Sequence, residues 1–460
     1  MPCEFSLEYA SSFEPSSMFD RSSENAFGGK CQFSIFDESD LVAFNGKKFC
    51  PFHLPLGDDK GNQTLKSKWG FGAQARFSGL LAQYIEERSN QNKPIDLCGL
   101  VHWDRLTFAM RYSSDGMGGL AIPYENLPAI ALDGAEFPRG VDFNQLHFAK
   151  RVYARNVTFG GPADFNMTRF SDEVDFSAAV FSDDANFFGA KFESKTLFGG
   201  ARFRNKLVFA SAEFSNVVDF SLRHFFGNVV PDHASDESIR VAQFHNAKFL
   251  GQAKFNDRQF LSGPNFREAQ FSIAPEFHNS GFHQSATFDG AQFLDTSSAT
   301  ADHAYRTLKL AMERLGARDE QAEFFALEQQ ARAKKPSTPC SVKLFSYLYW
   351  LASDYGRSFV RPLLWLLAVT VLFVGAHALA IACTANGQTP ILAFATDFTL
   401  EQLMRPFAIW SPGALTRWGF EVTTPAAELP IKLISTIYTL TALGLVALAL
   451  LALRRRFKLD

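Results

Sequence analysis

The chain has 460 residues, 50 of them phenylalanine, and its 45 basic and 48 acidic side chains give a formal net charge of −3. This near-neutral balance argues against a protein that binds nucleic acid through an overall basic surface. A hydrophobic share of 47% argues against intrinsic disorder, and the length predicts two or three folding units.

Residues 1–131 carry no clear repeat, and we expect them to form an N-terminal capping region. No basic segment followed by an apolar run opens the chain, so we expect no signal peptide. Apolar residues recur at helical spacing in 71–88, which predicts one amphipathic helix. The following PIDLCGLVHW has the character of a first strand-like coil.

Cys31, Cys50 and His53 are the potential metal ligands of the capping region. A structural zinc site needs four ligands, and Cys3 would have to be the fourth. The six cysteines are scattered along the chain, which does not indicate a disulfide framework. We therefore favour buried thiols beside a surface histidine, without metal or cofactor, and keep the zinc site as the alternative.

From residue 143 to residue 293, phenylalanine recurs in steps that alternate between five and six, with a gap near Tyr153. An α-helix would place such residues on two opposite sides, and a simple strand would alternate their faces. A coil that turns a corner at each step puts every ring inside, and four corners take 22 residues. The central core positions are Phe165, Phe170, Phe176, Phe181, Phe187, Phe192, Phe198, Phe203, Phe209 and Phe214.

A small residue, usually Ala, stands two positions before many of these phenylalanines. The resulting A-x-F-x-x-A-x-F pattern resembles the pentapeptide-repeat proteins, whose central residue is Leu or Phe. The resemblance implies a β-solenoid, a right-handed quadrilateral β-helix, over residues 132–295, and the steps of six look like the Phe-rich variant of the family. We assign the ladder phenylalanines to core packing and expect no catalytic residue among them. The repeat lapses at 227–242, where we expect a surface loop.

Residues 300–335 predict a helical hairpin broken at Gly316, which we expect to act as a second cap. Residues 341–460 then predict a juxtamembrane segment and two transmembrane α-helices. The segment 341–358 is rich in aromatic residues that suit a membrane interface. The uncharged runs 362–383 and 433–453 are long enough to span a bilayer.

Basic residues at both ends of this membrane region predict its topology. We expect the protein to lie in a bacterial inner membrane. The positive-inside rule then places both flanks, the termini and the β-helix on the cytoplasmic side, with the loop 384–432 outside. His377 lies within the first span, and we expect it to be hydrogen-bonded to the other helix. The residues that set this topology are Arg357, Arg361, Arg454, Arg455 and Arg456.

These features favour a multi-pass, membrane-anchored β-helix that acts as a protein-interaction scaffold. The alternative is a degenerate channel-like or sensing protein, because some pentapeptide-repeat membrane proteins look like they end in a two-helix potassium-channel pore. The external loop lacks a T-V-G-Y-G filter, which argues against selective conduction. DNA mimicry, which is known in soluble relatives, would need a dense acidic face, and the nearly balanced charges of the repeat do not provide one. We found no catalytic motif in the sequence, so we do not expect an enzyme.

The expected partners follow from this interpretation. They are the membrane, an unidentified protein and, through the transmembrane hairpin, a second copy of the chain. Nucleic acid is not expected as a partner, because the charges of the repeat nearly cancel.

Overall fold

The computed structural model describes residues 3–5, 31, 33, 36, 38–58, 60–107, 127–222, 238–384, 391–411 and 425–457. The chain divides into two compact units, Met1–Leu315 and Gly316–Asp460. All the described strands lie in the first unit, which contains a long β-solenoid, and the described residues of the second unit form helices.

The solenoid has four faces, each a parallel sheet of very short strands. A strand pairs with the strand 22 residues further along, as Val152 does with Val174 and Val174 with Thr196. The two longest sheets contain seven strands each, so the solenoid has about seven turns. The predicted β-solenoid with a 22-residue coil is therefore confirmed.

The strands are distributed over the faces as follows. The first face contains Ile95–Asp96, Ile130–Ala131, Val152–Tyr153, Val174–Asp175, Thr196–Leu197, Val218–Asp219 and Ala253–Lys254. The second contains Glu136–Phe137, Thr158–Phe159, Val180–Phe181 and Arg202–Phe203, and then a separate pair, Ser238–Ile239 and Gln259–Phe260. The third contains Leu106–Thr107, Val141–Asp142, Ala163–Asp164, Ala185–Asn186, Lys206–Val208 and Val241–Gln243. The fourth contains His147–Phe148, Arg169–Phe170, Lys191–Phe192, Glu213–Phe214, Lys248–Phe249, Gln270–Phe271 and Gln292–Phe293.

Phenylalanine rings fill the interior in columns that run from coil to coil. Phe165 stacks on Phe187 with ring centroids 4.7 Å apart and planes 4° from parallel, and Phe187 stacks on Phe209 at the same distance. Neighbouring columns meet edge to face, as Phe165 and Phe176 do at 75°. Parallel offset and edge-to-face contacts are the arrangements that the ring quadrupole favours.

The predicted ladder positions are buried wherever the structure describes them, except Phe282, which is half-buried. Phe225 lies outside the described residues. At the gap in the repeat, Ala154 takes the inward position and is fully buried, whereas Tyr153 is partly exposed.

The five-residue corners share a left-handed residue two positions after the inward side chain. At one corner the backbone N–H of Ala179 donates to the carbonyl of Phe176 at 3.0 Å, and Ala178 between them has φ +56°. This is a tight turn that requires a positive φ at its third residue. The same conformation recurs at Gln145, Asn156, Met167, Gly189, Gly200, Ser211, Asn246, Asp257, Glu268, Asn279 and Gly290.

One coil contains an insertion. Glu213 pairs with Lys248, 35 residues on instead of 22, so this coil has 13 extra residues. The loop predicted over 227–242 ends earlier than expected, because 238–239 and 241–243 form strands. Its preceding residues lie outside the described part of the structure. The side chain of Arg258 is fully buried near this point and donates to the carbonyls of Ala201 at 2.8 Å and Phe198 at 3.3 Å.

Both ends of the solenoid are covered within the first unit. The hairpin Val42–Phe44 and Lys47–Phe49 and the helix α1, Phe71–Asn90, precede the strand Ile95–Asp96. The predicted helix 71–88 is thus confirmed, with Phe77, Leu81 and Ile85 buried along one side. At the other end lies α2, Ala301–Leu315. Its Tyr305 hydroxyl donates to the carbonyl of Asp295, and its ring packs edge-on against Phe293.

The described residues of the second unit form five α-helices: α3, Arg318–Lys334; α4, Cys340–Ser353; α5, Val360–Thr384; α6, Ile391–Met404; and α7, Pro425–Phe457. Two helices do occur within the predicted hairpin 300–335. The helical conformation is interrupted at Gly316, which has φ +71°. These two helices, α2 and α3, belong to different units. The predicted spans 362–383 and 433–453 lie within α5 and α7.

Candidate functional site

The outer surface of the solenoid is the first candidate, because stacked rings occupy the interior. On the fourth face the residue before each inward phenylalanine points outward, and Arg169, Lys191, Glu213 and Lys248 follow one another along this row. Arg169 forms an ion pair with Glu193 of the next coil at 2.6 Å. The row therefore presents mixed charges on a regular backbone.

Side chains also connect the coils on the third face. The carboxylate of Asp164 accepts hydrogen bonds from the side-chain amides of Asn144 at 3.2 Å and Asn186 at 3.1 Å. Asn166 donates its backbone N–H to the side-chain oxygen of Asn144 at 3.0 Å. Such bonds satisfy the polar groups next to the core and tie successive coils together.

Buried carboxylates occur on and beside the first face. One carboxylate oxygen of Asp133 accepts hydrogen bonds from Nε of Arg155 at 3.0 Å and Nη2 at 2.5 Å, and the other accepts the backbone N–H of Arg155 at 2.8 Å. Asp175 is 4% exposed and accepts the backbone N–H of Ser177 at 2.9 Å. Burial raises the pKa of Asp175 to about 6.

Two helices of the second unit are long and apolar enough to cross a membrane. The candidate spans are Val360–Ala380 and Ile431–Arg454. Only 6% of the first apolar window is buried inside the protein, and 33% of the second. A core helix of a water-soluble protein would bury most of such a surface, and these two helices do not.

The predicted topology-setting arginines lie at the ends of these helices. Arg357 precedes the first candidate span and Arg361 is its second residue, and both pair with Asp354, at 2.9 Å and 3.7 Å. Arg454 ends the second span in α7. Arg455 and Arg456 continue α7, and their side chains lie outside the described part of the structure.

His377 joins three helices of the second unit through its ring nitrogens. It is 1% exposed, and Nδ1 lies 2.8 Å from the hydroxyl of Thr399 in α6, while Nε2 lies 3.1 Å from the hydroxyl of Ser435 in α7. The predicted hydrogen bond to the other spanning helix is confirmed. The sequence analysis missed Thr399, because nothing in its local pattern marks it as a partner of a histidine 22 residues away.

A compact group of sulfur and nitrogen atoms lies in the N-terminal part of the first unit. The Sγ atoms of Cys3, Cys31 and Cys50 and a ring nitrogen of His53 all lie within 4.8 Å of one another. The Sγ atoms of Cys31 and Cys50 are 3.8 Å apart. Nδ1 of His53 lies 3.3 Å from Sγ of Cys50 and 3.6 Å from Sγ of Cys3. The prediction that His53 lies at the surface is wrong, because its side chain is only 3% exposed.

The local backbone explains why Cys50 and His53 converge. The N–H groups of His53 and Leu54 both donate to the carbonyl of Cys50, at 3.1 Å and 2.9 Å, which closes one tight turn. Lys66, 1% exposed, supports this turn by donating from Nζ to the carbonyls of Pro51 at 2.6 Å and Phe52 at 3.2 Å. Burial lowers the pKa of Lys66 to about 7.

Cys3 and Cys31 reach the same point from distant parts of the chain. Glu4 donates its backbone N–H to the carbonyl of Lys48 at 2.8 Å, so the first residues run beside the strand that leads to Cys50. The ring of Phe5 stacks on His53 with centroids 3.9 Å apart. These contacts join residues that are far apart in the sequence, so the spacing within a local motif could not predict them.

Comparison with known proteins adds no relative to these observations. No family model matches the chain, and neither a curated protein nor a solved structure matches it. The repeat, the apolar helices and the sulfur–nitrogen cluster are therefore the features from which function has to be inferred.

Proposed function

We propose that this protein is a membrane-anchored scaffold whose rigid cytoplasmic β-helix binds a protein partner. The observation that carries the proposal is a contrast within the chain. The first unit buries its rings in unbroken columns such as Phe165, Phe187 and Phe209. The second unit leaves much of the apolar surface of α5 exposed, with 6% of its apolar window buried. The first property leaves the outer surface for binding, and the second supports anchoring in lipid.

Membership of the pentapeptide-repeat family is part of this proposal. The four-sided coil, the central phenylalanine and the small residue two positions before it all agree with that family. Ala179, Ala190 and Ala201 take the small position, and each is fully buried. A larger side chain there would meet the ring column of the neighbouring corner, which gives a physical reason for the small residue.

The inner membrane of a bacterium, crossed by α5 and α7, is the proposed location. Basic residues precede the first span and follow the second, and the positive-inside rule then favours cytoplasmic ends for both. Exposed aromatic residues on α4, among them Phe345, Tyr347 and Trp350, suit the boundary between lipid and water. α6 would lie on the external side, between the spans.

A protein is the proposed partner, and the scaffold has no enzymatic activity of its own. The outward row of the fourth face combines basic, acidic and amide side chains, which suits specific polar contacts better than a polyanion. The ladders of hydrogen bonds between coils keep this surface rigid, and a rigid surface loses little conformational entropy on binding.

Cross-linking of the full chain in native membranes, followed by mass spectrometry, tests the proposal. We expect one or more reproducible protein partners whose cross-links map to the solenoid. A triple variant of the fourth face, R169S, K191S and K248S, should reduce the recovery of a partner bound there. The matched control carries R202S on the second face and R267S at a corner. Recovery of no partner, or of partners that map to the helical unit alone, would contradict the scaffold.

A channel-like or sensing protein is the second candidate, and the position of α6 favours it. The short helix α6 lies in sequence between the two apolar helices. It contacts α5 through Thr399 and His377, and α7 through the buried cluster that contains Phe398 and Ile431. A long helix, a short helix and a second long helix is also the order found in two-helix channel pores. Planar-bilayer recordings and cross-linking of the purified full chain test this candidate. A silent bilayer together with a strictly monomeric protein would remove it.

A further inference from the structure

We propose that Cys3, Cys31, Cys50 and His53 bind one structural Zn²⁺ ion, which fastens the start of the chain to the N-terminal cap of the solenoid. This site is independent of the membrane-scaffold proposal, because it depends only on atoms of the first unit.

The distances between the donor atoms fit a tetrahedral zinc site. Zn–S bonds of about 2.3 Å and Zn–N bonds of about 2.0–2.1 Å place two sulfurs about 3.8 Å apart, and a sulfur and a nitrogen about 3.6 Å apart. The measured separations are 3.8 Å between the sulfurs of Cys31 and Cys50, and 3.3 Å and 3.6 Å from Nδ1 of His53 to Cys50 and Cys3. These three separations have the spacing that zinc requires, and all four donor atoms lie within 4.8 Å of one another.

Surrounding groups orient these ligands. Nε2 of His53 lies 3.0 Å from the carbonyl oxygen of Cys98, which holds the proton on Nε2 and leaves Nδ1 free to bind a metal. The backbone N–H of Cys50 donates to Sγ of Cys3 at 3.2 Å, and the N–H of Phe33 donates to Cys31. Hydrogen bonds of this kind stabilise thiolates, the form in which cysteine binds zinc.

The charge balance also favours a metal. Three thiolates, a neutral imidazole and Zn²⁺ together carry a charge of −1. The ammonium of Lys66 lies next to this group, held by the carbonyls of Pro51 and Phe52 in the turn between two ligands. Lys66 interacts electrostatically with Cys50 and with the carboxylate of Glu136, so the thiolate–zinc group would share with Glu136 the role of balancing its positive charge.

Other uses of the cluster fit less well. A disulfide bond needs two sulfurs about 2.05 Å apart, and the Cys31–Cys50 separation of 3.8 Å leaves both free. A catalytic zinc site keeps one coordination position open for water or substrate, whereas four protein donors close this one. The geometry therefore points to a structural ion.

The ion would stabilise the cap by joining segments that are far apart in sequence. Cys3 and Cys31 would be bound to the turn of Cys50 and His53. The same turn pairs with the first coil, because Val101 donates its backbone N–H to the carbonyl of Phe52 at 2.9 Å. Zinc would thus link the beginning of the chain to the exposed end of the solenoid, where unpaired strand groups otherwise invite association with other chains.

The test measures the metal content of the full chain, purified in detergent without chelators from zinc-supplemented cells. We expect one zinc per chain by elemental analysis. X-ray absorption should show three sulfurs at about 2.3 Å and one nitrogen at about 2.0–2.1 Å. A preparation that lacks zinc and takes up none on titration would overturn the proposal. So would a Cys31–Cys50 disulfide in non-reduced peptide maps, or a zinc shell with other ligands.

Two substitutions at one position distinguish metal binding from a packing role. H53C should keep the zinc with four sulfur ligands, whereas H53A should lose it. C340A, which changes an exposed cysteine of the second unit, is the matched control and should keep a full zinc content. A folded H53A protein that retains one zinc per chain would refute the assignment of His53. If H53A does not fold, the absorption spectrum of the unaltered protein decides.

Discussion

The two units differ in what they do with apolar side chains: the solenoid buries most of them, whereas α5 leaves many of them exposed. In the solenoid, Phe187 is fully buried although its neighbour Phe188 is 39% exposed. In α5, Leu372 is 68% exposed and lies in the middle of a run without charges. The comparison shows that apolar content alone does not define a core. The spacing of the apolar residues decides whether the fold buries them, as in the solenoid, or leaves them exposed, as in α5.

The largest expected effect comes from the solenoid core. F187A removes a ring that stacks on Phe165 and Phe209, and we expect a loss of about 3–5 kcal/mol in the free energy of unfolding. F188A removes the adjacent, exposed ring and should change it by less than about 1 kcal/mol. Urea unfolding of both variants measures the difference. Equal losses would mean that the ladder does not form the core.

The second prediction concerns the helical unit. L372K places a charge in the middle of the first span, and we expect insertion into the membrane to become less favourable by about 2.5–3.5 kcal/mol. L261K makes the same change at a solenoid leucine that is 59% exposed, and it should leave the membrane fraction unaltered. Carbonate extraction of membranes followed by immunoblotting reports both. An unchanged membrane fraction for L372K would contradict a lipid environment for α5.

The third prediction concerns the pH dependence of the solenoid. Because burial raises the pKa of Asp175 from 3.8 to about 6, the folded state keeps this proton over a pH range in which the unfolded chain has lost it. Stability should therefore fall as the pH rises from about 4 to 6, by at most about 3 kcal/mol. D175N should remove this loss and stabilise the protein by about 1–3 kcal/mol at pH 8, and by less at pH 5.

The control for this prediction is D219N, two coils further along the same face. Asp219 accepts the N–H of Ser221 at 2.8 Å, as Asp175 accepts that of Ser177, but it is partly exposed. Chemical denaturation at the two pH values should show a pH-dependent gain for D175N alone. A gain of the same size in both variants would show that burial of Asp175 is not its cause.

The smallest expected effect is in the polar contacts of the helical unit. S435A deprives Nε2 of His377 of its partner in α7, and we expect a loss of about 0.6–2 kcal/mol in stability in detergent. T441A, at an exposed position of the same helix, is the control and should have little effect. Thermal unfolding in detergent measures both. A larger loss for T441A would show that the His377 network does not hold these helices together.

Regular, local patterns were predictable from the sequence. The eleven-residue period predicted the coil and the inward positions, and the two uncharged runs predicted the long apolar helices α5 and α7. Gly316 marked the break between α2 and α3, because glycine adopts a positive φ without strain. Each of these features depends on residues that are near one another in the chain.

Features that depend on long-range contacts were not predictable. The left-handed corners went unnoticed, because Met167 and Ala178 adopt them as well as Asn and Gly residues. The buried position of His53 depends on Cys98 and Phe5, about 45 residues to either side. For the same reason the sequence could name Cys3, Cys31, Cys50 and His53 as ligands but could not bring them within 4.8 Å of one another.

Photolabelling with a lipid-soluble carbene tests the contrast between the two units most directly. The full chain is reconstituted in vesicles, labelled, and mapped by mass spectrometry. We expect label on the exposed residues of α5 and α7, such as Leu367, Leu372 and Leu440, and none on the ladder phenylalanines. Label on ladder rings such as Phe187, or an unlabelled α5, would contradict a solenoid that buries its own core beside helices that depend on lipid.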